Sequence, residues 1–119
     1  MENDMTVARH FRSEVEDLLY QNRVNLVLVG HQHAYERSCP VFQGKCVEGE
    51  KAPVHIVVGS AGFELDTTDF SPTYGKWSVH HVNEYGYLRV STSADAMKLQ
   101  FVLNRNGAVY DEFTIKPWL

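Results

Sequence analysis

The stretch Val24–Arg37, VNLVLVGHQHAYER, limits this chain more than any other. Its apolar residues are broken only by Asn25 and end at Gly30, and such a short β-branched and leucine run predicts a strand buried on both faces. Gly30 lets the backbone turn sharply where a Cβ would obstruct it. His31 and His33 then leave the C-terminal end of the strand together. In open α/β sheets that edge is where ligands and metals bind. Two imidazoles at i and i+2 on a tight turn can address neighbouring metal positions. As plain loop residues they would make only ordinary hydrogen bonds. The strand–glycine context favours the metal reading over what a bare His-x-His would support.

Upstream, Val7, Phe11, Val15, Leu18 and Leu19 recur at helical spacing on one face. Asn3 or Asp4 can cap this helix, and Asn22, which tolerates a left-handed backbone, should end it. A helix followed by the buried strand Asn25–Val29 is the second half of a βαβ unit. The first strand of that unit is not in this sequence, which reads as a missing piece.

Beyond the histidines, 34–38 and 41–42 read as short extended segments, and Gln43-Gly44 as a hairpin turn flanked by Cys39 and Cys46. These cysteines can close a disulfide if the register sets them opposite each other, or remain two free thiols. Val54–Val58 is the second strong strand. The small residues Gly59-Ser60-Ala61-Gly62 follow it, and with no lysine or helix start behind them they read as a tight loop rather than a phosphate cradle. Phe63–Glu84 reads as a long surface loop, punctuated by Asp66, Thr67, Thr68, Asp69, Ser71, Pro72 and Gly75; His80-His81 near its end could rim an active site, but such a pair is more often solvated. The strands 85–91, 97–103 and 108–115 form an antiparallel meander, with turns at Ser93-Ala94-Asp95 and Asn106-Gly107.

With 119 residues there is at most one domain, and 44% hydrophobic against 22% charged residues makes it globular. A net charge of −4 argues against a nucleic-acid partner. The longest apolar run, Leu26–Val29, is far too short to span a membrane, and the N-terminal residues contain no signal-peptide apolar region.

Gly30-His31-Gln32-His33 with Ala34-Tyr35-Glu36-Arg37 closely resembles the last signature of the purple acid phosphatases, within the calcineurin-like metallophosphoesterases. Cys39-Pro40-Val41, Val54–Gly59, Tyr85-Gly86-Tyr87 and Asn104–Gly107 resemble later segments of that family's catalytic domain. The resemblance covers the whole chain but only the C-terminal part of the family's domain. It implies a single partial domain over 1–119 of α/β (α+β) class: one N-terminal helix, a buried strand ending in GHQH, then a mostly antiparallel sheet, part of a metallophosphoesterase β-sandwich.

It also implies a chemistry. Phosphomonoester hydrolysis builds up charge around phosphorus, and two adjacent metal ions answer this by generating hydroxide and holding the phosphate oxygens in line. Imidazole ligands suit such ions, iron paired with zinc, manganese or iron. By resemblance, His31 would ligate the divalent ion and His33 the ferric ion. Each imidazole needs an acceptor to fix its tautomer, with Glu36 or a backbone carbonyl as candidates. Tyr35 and Arg37, like Glu36, could support the ligands from behind, and they read as structural rather than catalytic: a ring packing beside the turn and a guanidinium in an ion pair. The family's other ligands come from Asp-x-Gly, Gly-Asp-x-x-Tyr, Gly-Asn-His and Val-x-x-His. The first three are absent. Val7-Ala8-Arg9-His10 fits the fourth but lies within the helix stripe, where the family's histidine would end a strand.

Two histidines cannot make a binuclear site. The expectation is therefore a C-terminal fragment of an acid phosphatase acting on phosphate monoesters, inactive alone, with no catalytic residue of its own and no stably bound metal. The missing N-terminal part of the catalytic domain is its partner. The alternatives are a non-catalytic, truncated β-rich module and a phosphodiesterase of the same superfamily, which shares Gly-His-x-His. The family setting is secreted or vacuolar/lysosomal.

Overall fold

The computed structural model describes residues 2–66 and 76–118, with helix side chains from Thr6 onward. The turn residues Thr67, Thr68, Asp69, Ser71, Pro72 and Gly75 lie outside the described residues.

Helix α1 spans Glu2–Gln21. It starts earlier than the sequence predicts, so Asn3 and Asp4 fall in its first turn rather than before it. Its end also differs. The left-handed residue is Arg23, with φ of 55°, and not Asn22. Arg23 N–H donates to the Tyr20 carbonyl at 3.1 Å and Val24 N–H to that of Leu19 at 3.0 Å, the paired bonds of a Schellman cap. Asn22 instead uses its side chain, donating Nδ2–H to the Leu18 carbonyl at 2.8 Å.

Strands β1 (Leu26–Val29), β2 (Tyr35–Ser38), β5 (Val54–Val58) and β6 (Ser78–Val82) form one sheet in the order β1-β5-β2-β6. Only β1 and β5 run parallel, with Leu26 opposite Val54 and Val29 opposite Val57. Strands β3 (Val41–Phe42) and β4 (Lys45–Cys46) make a small hairpin. Its turn residues Gln43 and Gly44 both have positive φ, 53° and 74°, as a two-residue hairpin turn requires. Cys39 and Cys46 are joined by a disulfide across it. A short 3-10 turn, Glu48–Glu50, leads to β5. Strands β7 (Gly86–Thr92), β8 (Met97–Leu103) and β9 (Val109–Ile115) form the antiparallel meander, in that order.

The segment predicted as loop from Phe63 to Glu84 thus contains β6. Its sequence, SVHHV, is short and half polar, and it becomes a strand by pairing with β2, with His81 opposite Glu36 and Tyr35 opposite Val82.

The two larger sheets meet over one core. Tyr35, Val54 and Ile56 face Leu99, Phe101, Leu103 and Ile115. The Tyr35 and Phe101 rings stack with centroids 4.1 Å apart and planes 11° from parallel. Both are fully buried, and each contributes about 1.5–3 kcal/mol through lost water contact. Successive β2 residues point to opposite faces, so Tyr35 and Arg37 enter this core and Glu36 does not.

Strand β1 departs from expectation. It is the sheet's edge, and Leu28 and Val29 are 50% and 43% exposed rather than buried on both faces. The helix stripe is open too, with Val7, Phe11 and Leu18 all exposed. Helix α1 is instead held near its C-terminal end. Tyr20 stacks on Phe42 at 4.1 Å and tilts against Trp118 at 5.4 Å, and Glu16 accepts the Gln43 N–H. Among the described residues no helix is long and apolar enough to cross a membrane.

Candidate metal centre

The turn between β1 and β2 carries Gly30, His31, Gln32 and His33. Gln32 N–H closes it on the Gly30 carbonyl at 3.0 Å. His31 takes φ of 75°, a left-handed conformation that an ordinary side chain adopts at some cost. His31 is exposed and His33 half-buried.

What places the turn is the end of β5. Gly59 N–H donates to the Ala34 carbonyl at 3.1 Å. A Cβ on Gly59 would fall 1.9 Å from the Gln32 carbonyl oxygen, so the turn lies flat against a position that only glycine can occupy. The small-residue stretch after β5 therefore serves as a tight loop receiving the histidine turn. From the other side comes Asp66. Its Oδ2 accepts the His33 N–H at 3.0 Å, and its own N–H donates to the His33 carbonyl at 3.0 Å. The Phe63 ring meets the His33 ring edge-on, centroids 5.4 Å apart. In the sequence Asp66 stood out only as loop punctuation; no local spacing links it to a residue 33 positions away.

The residues after the turn look inward. Tyr35 donates its hydroxyl to Asp111 Oδ2 at 2.6 Å, and Arg37 grips the same carboxylate with Nε at 2.7 Å and Nη2 at 3.0 Å. The Arg37 guanidinium also lies 4.2 Å over the Phe113 ring. Burial would raise the Asp111 acid, but the bonds from Arg37 and Tyr35 outweigh it and hold the carboxyl below its ordinary range. Burial, reinforced by that carboxylate, pushes the Tyr35 phenol far up. Tyr35 is thus a neutral donor at any ordinary pH.

Glu36 faces the other way and accepts the Ser78 hydroxyl at 3.0 Å. Burial raises its acid against the opposing influence of Ser78 and His81. The bonds of Tyr35, Glu36 and Arg37 thus run to Asp111 and Ser78, while both bonds to the His33 backbone come from Asp66. His80 approaches Asp111 at 3.7 Å, and the Tyr110 hydroxyl donates to the His81 carbonyl at 2.9 Å. The pair predicted as solvated loop residues belongs to β6, where side chains alternate between faces.

Two imidazoles at a strand end suit iron, zinc or manganese as part of a donor set. Among the described residues, no group of three or more His, Cys, Asp or Glu could hold a metal ion. The donors present fit part of a binuclear centre and no more. A cleft of about 520 Å³ lies next to the bracing segment, lined by Gly62, Leu65, Glu84, Tyr85, Asn104 and Arg105 and by neither histidine of the turn.

Residues 52–112 match a family described as iron/zinc purple acid phosphatase-like protein C. The chain is 36% identical over 114 residues to an Arabidopsis thaliana protein named "Probable inactive purple acid phosphatase 27", which covers 87% of this chain and 18% of that protein. It is 35% identical over 111 residues to "Acid phosphatase type 7" of Danio rerio, covering 85% of this chain and 25% of the relative. A solved structure of a purple acid phosphatase from yellow lupin (Lupinus luteus) seeds superposes with a TM-score of 0.74 at 28% identity, over 84% of this chain and 19% of that one. The chain spans between about a fifth and a quarter of the length of these curated relatives. The match to the lupin enzyme falls in its C-terminal region, and the shared architecture is α+β, with one helix and mostly antiparallel sheets.

Proposed function

The chain belongs to the purple acid phosphatase family, and on that premise we propose that residues 1–119 are one partial domain, the C-terminal segment of a metal-dependent hydrolase of phosphate monoesters. The observation that carries this reading is the His31–His33 turn at the β1 end, seated against Gly59. In the complete centre, His31 would hold the divalent ion and His33 the iron. Held there by His31 and His33, such ions would supply Lewis acidity for hydrolysis of the phosphate ester. The chain's own residues orient the ligands. Gly59 sets the height of the turn, Asp66 fixes the His33 backbone, and Tyr35 and Arg37 anchor the following strand to Asp111. Glu36, hydrogen-bonded to Ser78, belongs to the outer face of that strand.

The exposed helix stripe and β1 edge support a missing N-terminal part of the catalytic domain as the partner that covers them. Alone, the chain is inactive and holds metal weakly, since two imidazoles fall short of a site. The Cys39–Cys46 disulfide supports a secreted, vacuolar or lysosomal setting.

The test is a chimera. This chain replaces the corresponding C-terminal segment of an active purple acid phosphatase, and hydrolysis of a phosphate monoester is assayed with iron and zinc. Activity is expected in the chimera, and a loss of at least about 100-fold with His31→Ala or His33→Ala, in line with removal of a ligand that orients and activates. The isolated chain should show no turnover above buffer. A folded, metal-loaded chimera without activity would sink the enzyme reading in favour of a non-catalytic segment. One relative's name, "Probable inactive purple acid phosphatase 27", favours that second reading.

A further inference from the structure

We infer that Asp66 is a positioning residue for His33, acting through the main chain rather than through the imidazole. The inference rests on the reading of His33 as a metal ligand, and it adds a residue that the His-x-His signature does not contain.

Both backbone polar groups of His33 are engaged by this one residue. The carboxylate takes the N–H at 3.0 Å, and the Asp66 N–H gives to the carbonyl at 3.0 Å. A carboxylate accepting a backbone N–H is the stronger, charge-assisted kind of bond. Two bonds to one residue fix rotation as well as distance. The Phe63 ring, three positions earlier, meets the His33 ring at 80° and restricts how it swings. On the opposite side the preceding peptide rests on Gly59. His33 is therefore clamped at its backbone from two directions and at its ring from a third.

His31 is built differently. It is exposed and left-handed, on a turn closed by the bond from Gln32 to Gly30. The pair divides into a fixed member and an adjustable one. Metal ligands must be held within about half an ångström of their working position. A brace on the main chain does this while leaving the second ring nitrogen available for the tautomer-fixing partner that ligands otherwise need. Leu65, next to Asp66 in sequence, lines the cleft together with Tyr85 and Arg105.

The experiment uses the 119-residue chain, Zn2+ as the probe, and two readouts: amide hydrogen exchange at His33, and the imidazole 15N shifts of His33 during a zinc titration. Millimolar binding suffices for the second. Asp66→Ala removes the acceptor, and Asp66→Asn keeps an oxygen that can accept the same bond. Asp66→Ala should speed exchange at His33 by about tenfold and weaken the zinc response by about tenfold, the lower end of what loss of an outer-shell partner costs. Asp66→Asn should restore most of both. A residue that only closes the loop would change exchange and leave zinc affinity alone; that result overturns the inference, as does an Asp66→Ala chain with His33 exchange unchanged. A wild-type His33 ring that ignores millimolar zinc overturns the inference, because Asp66 then positions no ligand in this chain; the chimera assay tests the metal reading of the complete centre separately. Normal zinc binding in the alanine variant overturns the brace alone.

Discussion

The β7–β9 meander and the α1–β1 unit both present rows of apolar side chains, yet Leu99 and Phe101 are completely enclosed while Phe11 and Leu28 stand 61% and 50% exposed. The difference lies in where each finds its partners. Every strand of the meander pairs with its neighbour in sequence, and one face settles onto Tyr35, Val54 and Ile56. Such local pairing needs nothing from outside the chain. Helix α1 runs into β1, whose partner among the described strands is the parallel β5, and parallel strands are usually covered on both faces. Here β1 has β5 on one side and none of the described strands on the other, and α1 is fastened chiefly by Tyr20 and Glu16. One region is a closed core; the other is an open apolar surface.

The largest effect should separate the two directly. Phe101→Ala removes a fully buried ring stacked on Tyr35 and should cost about 3–5 kcal/mol, whereas Phe11→Ala should stay within about 0.5 kcal/mol. Chemical denaturation of both variants checks this, and equal losses would show that the helix stripe is covered in solution. Next comes Asp111→Ala, which strands the Arg37 charge, only 14% exposed at its side chain, inside the core. It should cost about 3 kcal/mol, against less than about 1 kcal/mol for breaking the exposed Arg105–Glu84 pair with Glu84→Ala.

The paired change Cys39→Ser, Cys46→Ser opens a loop of sequence separation 7 and should cost about 2–3 kcal/mol by loop-closure entropy. Because the hairpin carries Phe42 and Gln43, amide exchange should quicken in the last turns of α1 and stay unchanged in β8. A uniform increase would mean that the two regions unfold as one unit.

A subtler contrast is in pH dependence. Burial lowers the basicity of His55 against the pull of Glu16. The unfolded chain binds this proton more readily, so stability is full above the ordinary histidine value of about 6.5 and falls as pH drops below it. His55→Gln should flatten that slope. Glu36 has the opposite sign: its acid is raised by burial, so its contribution weakens as pH rises through the folded value. Thermal melts at a series of pH values in His55→Gln and Glu36→Gln tell them apart. Smallest in stability is Leu28→Lys, within about 0.5 kcal/mol. It should still reduce self-association in sedimentation, because a charge on an open apolar edge blocks strand addition.

Much of this architecture can be read from local patterns. Asn106-Gly107 announces its hairpin, and Gly107 takes the positive φ, 71°, that such turns use. The meander, the β5 strand and the helix follow from periodicity alone. Strand β6 does not, because SVHHV has neither a long apolar run nor clean alternation and becomes a strand only beside β2. The burial of β1 also escapes the sequence: LVLV has the composition of a central strand, and its exposure depends on which neighbours are present. At the histidine turn, the glycine-bounded motif is visible in the residues, whereas the contribution of Asp66 arises from a contact between two distant loops. The shared carboxylate of Asp111, reached from β2 across 74 and 76 positions, is hidden for the same reason.

The close approach of Gln32 to Gly59 has a consequence for anyone altering this protein. A saturation library at position 59 should return a single amino acid among folded clones, with even alanine excluded by the backbone oxygen it would meet. The hydrogen atoms on that Cα act as a gauge block, and any engineered relocation of the histidine pair has to begin by choosing a new spacer there.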